Sequence, residues 1–415
     1  MKEGKPIRKK FILDALLNII AYAIPVIILQ LIAFPIIGRE LGNNQYGLVV
    51  TLVSLYTLLS LPFGNVLNNV RLLQNKDYES NGIKGDFNVL LAWSIVLSSL
   101  ILMLGTIYYE GNFTFSSIAL IVVISCLNLL REYLIVSFRI NLNYKAILIN
   151  NAILGFGYVI GIAVFYITGL WQMILIIGSG LSLIYITRNT NLLREGFTVT
   201  SLFKKIAYKS FVLFISVFLK NVLSYADKLL LFPLLGPTAV SIYYTATILG
   251  KIIAIMITPI NSVMLSYLSK TEKISLKYFF SIFGLTGIIG GIGYLVTILI
   301  SYRILSFLYP NWAADSMELI YITTASAILE VVASVLHPFL LRFSNINWQY
   351  LISGSNLIVY VLGATIFFNL YGLIGFCIGI LVTNVFKLGL MIVIFIINYR
   401  NDSVRKIVRE AAESV

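Results

Sequence analysis

The stretch Phe211–Leu268, FVLFISVFLKNVLSYADKLLLFPLLGPTAVSIYYTATILGKIIAIMITPINSVMLSYL, decides how the chain is read. Two membrane-length apolar segments meet inside it at Leu235-Gly236-Pro237, and they carry Lys220, Asp227, Lys228 and Lys251. An ionisable side chain at the bilayer centre costs roughly 2.5–3.5 kcal/mol on insertion scales, so such residues usually face a polar cavity and a purpose. The stretch also recurs. Leu41-Gly42-Asn43-Asn44-Gln45-Tyr46-Gly47 aligns without gaps on Leu235-Gly236-Pro237-Thr238-Ala239-Val240-Ser241, 194 positions later, and Pro62 and Pro259 follow at similar distances. One half of the chain reads as a divergent copy of the other.

Composition sets the class. The 415 residues are 59% hydrophobic and only 11% charged, with a mean hydropathy of +0.94. A soluble domain carries about 25% charged residues, so this is an all-α polytopic membrane protein. The net charge of +13 does not point to nucleic acid, because the Lys and Arg lie in short connectors between apolar spans, where topology rules place them. Cys126 and Cys377 both fall in apolar spans and behave as small hydrophobes; no metal-ligand spacing exists. There is one His and no HExxH, P-loop or GxSxG motif. The basic head (Lys2, Lys5, Arg8, Lys9, Lys10) precedes an apolar run of about 26 residues, longer than the 7–15-residue core of a signal peptide, so it reads as a first transmembrane helix.

A span needs about 20 apolar residues. Twelve are read, at about 12–37, 47–70, 87–108, 116–138, 146–168, 172–187, 210–233, 239–265, 278–301, 316–341, 347–369 and 373–398. With the N-terminus in the cytoplasm, 23 of the 30 Lys and Arg fall on the inner side, among them Arg71, Lys84, Arg139 and Arg194. Only Arg39 and Arg303 fall outside; Arg131, Lys220, Lys228, Lys251 and Lys387 are intramembrane. This bias predicts an even number of spans with both ends inside. The long basic connector between spans six and seven divides the chain. The expected organisation is a six-helix lobe at 1–195, a basic linker at 196–209, a second six-helix lobe at 210–400 and a basic tail at 401–415. Six is even, so the lobes form a parallel repeat, and such transporters place their substrate between the halves.

Polar side chains fall in stripes. Lys220, Ser224 and Asp227 share a face of span seven, and Tyr244, Thr247 and Lys251 one of span eight. Span ten carries Thr323, Glu330, Ser334 and His337, span one Asp14, Asn18 and Tyr22, and span two Asn65, Asn68 and Asn69. Span four carries Ser125, Asn128, Arg131 and Glu132, and span twelve Asn384 and Lys387. These stripes suggest a hydrated cavity, and the excess of cations favours an anionic ligand. Competing readings stand beside this one. Asp14 and Lys387 can snorkel to headgroups. Arg131 and Glu132 can satisfy neighbouring helices, Lys228 can be an outer-end anchor, and the Asn residues of span two can glue helices together. His337 precedes Pro338 and can bond to a backbone group freed by the kink.

The basic tail, Gly38-Arg39-Glu40-Leu41-Gly42 and Tyr46-Gly47 at the end of span one, an Asp in span seven, and a second Leu-Gly before a Tyr-rich span eight ending in Pro together resemble one family. It is that of the bacterial polysaccharide-repeat-unit flippases, the O-antigen, capsule and exopolysaccharide translocases of the multidrug/oligosaccharidyl-lipid/polysaccharide exporter superfamily. The resemblance implies a twelve-helix, two-lobed, V-shaped fold like that of the MATE exporters, in the inner membrane of a bacterium. It implies movement of undecaprenyl-diphosphate-linked oligosaccharide by alternating access, among membrane lipids and beside the polysaccharide polymerase machinery. A diphosphate needs cations, so Arg131, Lys220, Lys251 and Lys387 are the expected substrate contacts. Asp227, Glu330, His337 and Asp14 are the expected coupling positions for H⁺ or Na⁺, with no other cofactor. The alternative is a cation-coupled multidrug antiporter of the MATE type. A membrane-embedded enzyme is disfavoured because the outer connectors are short and bare.

Overall fold

The structure is a computed structural model. It describes the backbone of residues 4–268, 274–344 and 347–413. Within those ranges the side chains of 4–15, 220, 255–260, 262–263, 265–267, 347, 350 and 400–413 lie outside the described residues. Helix makes up 91% of the described residues, with no strand among them. In order the elements are α1 (Gly4–Ile28), a π-helical turn (Leu29–Ala33), α2 (Phe34–Asn81), α3 (Asp86–Glu110), α4 (Phe115–Leu134) and α5 (Val136–Ile140). There follow α6 (Tyr144–Thr168), α7 (Gln172–Asn189), α8 (Phe203–Leu268), α9 (Leu276–Leu308), α10 (Ala313–Phe343) and α11 (Asn347–Glu413). The wide turn at Leu29–Ala33 comes one turn after Pro25, whose missing N–H has already opened the helical ladder. Side chains start two of the later helices: Asn143 Oδ1 accepts from Ala146 N–H at 3.1 Å, and Ser275 Oγ accepts from Tyr278 N–H at 3.2 Å.

Three helices are broken by glycine. Gly42 in α2 has φ 73°, ψ −175°, and Gly236 in α8 has φ 80°, ψ 177°. That region of backbone space is open essentially to Gly alone. These are the two glycines that the sequence repeat aligns, and they turn the chain in the same way. The repeat is therefore written in the backbone as well as in the letters. α11 breaks at Tyr371-Gly372. Among the described residues, eight helical runs are long and apolar enough to cross a membrane, and Leu16–Asn81, Asn221–Ala254 and Leu351–Tyr399 each contain one of these breaks. α7, at 18 residues, lies outside that set.

The exposed surface is strongly apolar. Along α9, Leu285, Ile288, Ile292, Leu295 and Leu299 are all exposed. A soluble chain rarely presents so long an apolar stripe, whereas a helix against lipid must. α4 is the opposite case: Ile121, Ile124, Ser125, Leu129 and Tyr133 along it are all buried, and it packs on α2, α3 and α7.

By packing, the chain forms two compact units, Met1–Ser241 and Ile242–Val415. In the first, α6 packs on α1 and α7, α2 on α3 and α4, and α4 on α7. Its core gathers Phe87, Tyr133, Leu134, Val136 and Ile206. The 203–235 arm of α8 belongs to this unit: Phe214 stacks on Phe63 at 4.4 Å, and Tyr109 Oη donates to Leu229 O at 3.0 Å. The packing boundary therefore lies at Ser241, beyond the basic connector that marks the sequence repeat. In the second unit α10 packs on α9 and α11, around Phe279, Phe339 and Phe395, with Phe279 and Phe395 stacked at 3.8 Å. In each unit one helical hairpin closes on a glycine pair, Gly157 against Gly178 and Gly363 against Gly379, the small-residue contact that lets membrane helices approach closely.

Candidate functional site: the polar interiors

In the first unit, a hydrogen-bond network joins α2 to α4 and α5. Asn128 Nδ2 donates to Ser60 Oγ at 2.9 Å, and Arg131 Nη2 donates to Asn128 Oδ1 at 3.3 Å and to Glu132 Oε1. Asn68 Nδ2 donates to the Glu132 carbonyl at 2.7 Å. Arg139 Nη1 then donates to Asn68 Oδ1 and, at 2.9 Å, to Asn69 Oδ1. The spacing explains the line-up. Ser60 and Asn69 are nine residues apart on α2, about 13 Å at 1.5 Å per residue, and the segment Asn128–Arg139 runs alongside. Tyr22 from α1, Tyr56 from α2 and Tyr158 from α6 all lie within electrostatic reach of Arg131. Arg131 and Glu132 are buried and paired with each other. Both readings of that pair, ligand site and structural brace, pass through this geometry. Of the span-two amides, Asn68 is buried glue between helices, and it also posts a guanidinium.

Farther along the first unit, Asp227 pairs with its neighbour Lys228, accepting from its backbone N–H at 2.9 Å and from its ammonium. Lys228 is only 3% exposed, and its Nζ also reaches Ser224 O at 3.4 Å. Lys220 and Asp14 lie outside the described residues as side chains.

The two copies of the repeat motif touch each other. Ser241 Oγ donates to Asn43 O at 2.9 Å, and Thr238 Oγ1 donates to Asn44 Oδ1 at 2.9 Å. Gly47 lies so close that a Cβ there would fall 1.9 Å from Pro237 O. Ser241 aligns with Gly47, and its hydroxyl gives it a use that glycine lacks.

A second cluster, which the sequence did not disclose, holds the connector after α7. Asp86, wholly buried, accepts from Tyr78 Oη at 2.6 Å, from Thr200 N–H at 2.7 Å and from Thr200 Oγ1. Arg71 forms a fork with Glu195 at 2.6 and 2.9 Å and lies over the Tyr78 and Phe87 rings. Asn88 Nδ2 donates to Leu192 O at 3.3 Å and to Glu195 O. These groups were hidden because connector residues look solvated in sequence. An acidic residue in the first turn of α3, Asp86 after Gly85, is the one signal that was present. A cavity of about 540 Å³ opens beside them, lined by Arg71, Asn75, Glu79, Lys84, Asn141 and Glu195 among others.

In the second unit, Lys387 Nζ meets both oxygens of Glu330, at 2.7 and 2.9 Å. These two residues, expected to serve different roles, thus share one half-exposed pair. Asn384 Nδ2 bonds to Ser326 O and Oγ at 3.1 and 2.8 Å, and Asn261 Nδ2 to Ser334 Oγ at 3.0 Å. His337 Nε2 lies 2.9 Å from Gln349 Oε1. Lys251 sits over the Tyr244 ring at 4.8 Å, two residues that the sequence had placed on one face. Among the described residues no cluster of His, Cys, Asp and Glu is arranged to hold a metal.

No protein-family model matches the chain, and no curated protein sequence matches it either. Solved structures do. The chain is similar to a MATE-family multidrug resistance transporter of the MOP superfamily in its inward-facing conformation, at 15% identity and TM-score 0.66, covering 94% of this chain and 99% of that one. It is similar to a eukaryotic MATE transporter at 15% identity and TM-score 0.62, covering 94% and 95%. A Vibrio cholerae MATE transporter in its bent form matches at 13% identity and TM-score 0.56, covering 97% and 99%. At such identities the likeness is one of fold: the chain has the two-lobed, all-helical fold of the MATE transporters.

Proposed function

We propose that the chain is a multi-pass membrane transporter that exports an amphipathic organic solute by alternating access, driven by an ion gradient. The observation that carries this is the end-to-end match to MATE multidrug transporters, over 94–97% of this chain. Fold alone does not specify function, so the polar interiors must support it. They do so through pairing. Arg131 with Glu132, Asp227 with Lys228 and Glu330 with Lys387 each set a carboxylate beside a cation. A carboxylate in such a pair can trade its partner for H⁺, Na⁺ or a cationic solute. Asp227 and Glu330 are the first coupling positions, with His337 and Asp14 behind them. The ion drives the cycle only if it binds the two conformations with different affinity.

A second reading is translocation of an undecaprenyl-diphosphate-linked oligosaccharide, with Arg131, Lys220, Lys251 and Lys387 as contacts. The formal charge of +13 and the Arg139 guanidinium, which has no carboxylate partner among the described residues, favour it. The pairing of Arg131 and Lys387 with carboxylates weighs against it. Proteoliposomes separate the two. Under an imposed H⁺ or Na⁺ gradient, the first reading expects saturable efflux of a cationic dye. Gradient-stimulated movement of a fluorescent polyprenyl-diphosphate oligosaccharide, without dye efflux, transfers the assignment to the second. Movement of neither overturns transport.

A further inference from the structure

The geometry points to an anion site at Arg139: we infer that its guanidinium, held by Asn68 and Asn69, binds a phosphate group. The inference does not rest on either transport reading. It rests on a contrast in charge. Arg71, Arg131, Lys228 and Lys387 each have a carboxylate partner, Glu195, Glu132, Asp227 and Glu330 respectively. A cation neutralised in this way is a poor receptor for a second anion. Arg139 differs. Its two hydrogen bonds go to neutral amide oxygens, and among the described residues no carboxylate stands within ion-pair distance. Both bonds use Nη1, which leaves Nε and Nη2 as donors along one edge of the fork. That edge is the geometry by which Arg grips phosphate oxygens in pairs.

The mounting is rigid. Asn68 is 3% exposed, and its own Nδ2 is fixed to the Glu132 carbonyl, so its Oδ1 is aimed before any ligand arrives. Arg139 itself is half-buried, at the end of α5, where reduced screening by water strengthens the attraction between its guanidinium and an anion. Tyr22 and Tyr144 bring further hydroxyl-bearing side chains to the same neighbourhood. The phosphate can be that of a lipid headgroup or a free phosphate or diphosphate; the chemistry recognised is the same.

The test uses the purified full chain in detergent micelles and three probes: inorganic diphosphate, a polyprenyl diphosphate and phosphatidylglycerol. The informative variant is Asn69→Asp. It keeps Arg139 in place, indeed grips it harder, but supplies the missing carboxylate. If Arg139 only braces α2 against α5, Asn69→Asp binds every probe as the parent does and melts no lower. If Arg139 is an anion receptor, Asn69→Asp and Arg139→Gln both weaken binding about 10- to 100-fold, the scale of a lost charged hydrogen bond, while Asn69→Asp retains its melting temperature. Arg139→Lys recovers part of the binding, since it keeps charge but not the fork. Among the probes, Arg139-dependent binding of inorganic diphosphate alone identifies a free anion. Selective binding of the polyprenyl diphosphate, or equal binding of phosphatidylglycerol, identifies a carrier lipid or a bulk headgroup. Unchanged binding of all three probes in both variants, or no binding by the parent, overturns the site.

Discussion

Replacing Gly47 by Ala tests the contact between the two repeat motifs. In the helix itself the change is favourable, by up to about 1 kcal/mol, because Ala is the better helix former. The new Cβ, however, would lie 1.9 Å from Pro237 O and 2.5 Å from Pro237 C. Both obstacles are backbone atoms, so no side chain can swing aside, and the segments must part by more than an ångström. The bonds from Ser241 to Asn43 O and from Thr238 to Asn44, both 2.9 Å, then pass out of hydrogen-bonding range. Each is worth about 0.5–1.5 kcal/mol, and overpacking adds roughly 1–3 kcal/mol. The clash therefore wins, and a net loss of about 1–5 kcal/mol remains. Gly180 provides the control, because a Cβ there meets open space. Thermal unfolding in detergent is expected to show a lower melting temperature for Gly47→Ala and an equal or higher one for Gly180→Ala. A Gly47→Ala protein that melts with or above the parent would refute the close contact.

Three further outcomes follow from the same geometry. Gly42→Ala and Gly236→Ala each force a side chain into backbone space reserved for Gly, at a cost of about 1–3 kcal/mol; the two should lower the melting temperature by similar amounts, and a large inequality would argue against equivalent repeat positions. Asp86→Ala removes the acceptor of Tyr78 and Thr200, so trypsin should cut the purified protein faster at Arg194 and Lys204, and an unchanged digestion rate would show that the connector is held by other means. Glu330→Gln strands the Lys387 ammonium, so the double variant Glu330→Gln/Lys387→Gln should be more stable than the single one; the reverse order would mean that Lys387 has another partner of equal strength.

The sequence made the broad architecture legible because membrane helices must satisfy their backbone internally, which leaves long apolar runs that can be read directly. The Leu-Gly repeat was legible for a sharper reason: only glycine tolerates the backbone that Gly42 and Gly236 adopt. The pairing of the interior charges was not legible. Periodicity along one helix says which residues share a face, and it brought Lys251 to Tyr244 correctly. It cannot say that Glu330 meets Lys387 from another helix, or that Asp227 turns to its own neighbour. Arg139, Arg71 and Asp86 were missed for a different reason. They sit in or beside connectors, where a charge is ordinarily solvated, and only the packing of α5 and of residues 190–200 shows that they are enclosed. The packing boundary at Ser241 was equally hidden, because the 203–235 arm belongs by repeat to one half and by contact to the other.

The central claim is transport driven by an ion gradient through the paired interior carboxylates, and the parent protein beside the double variant Asp227→Asn/Glu330→Gln tests it most directly. In proteoliposomes loaded with a cationic dye, the account predicts saturable efflux by the parent under an imposed H⁺ or Na⁺ gradient and loss of that gradient response in the double variant. Parent efflux that ignores the gradient, or an unchanged gradient response in the variant, would contradict it.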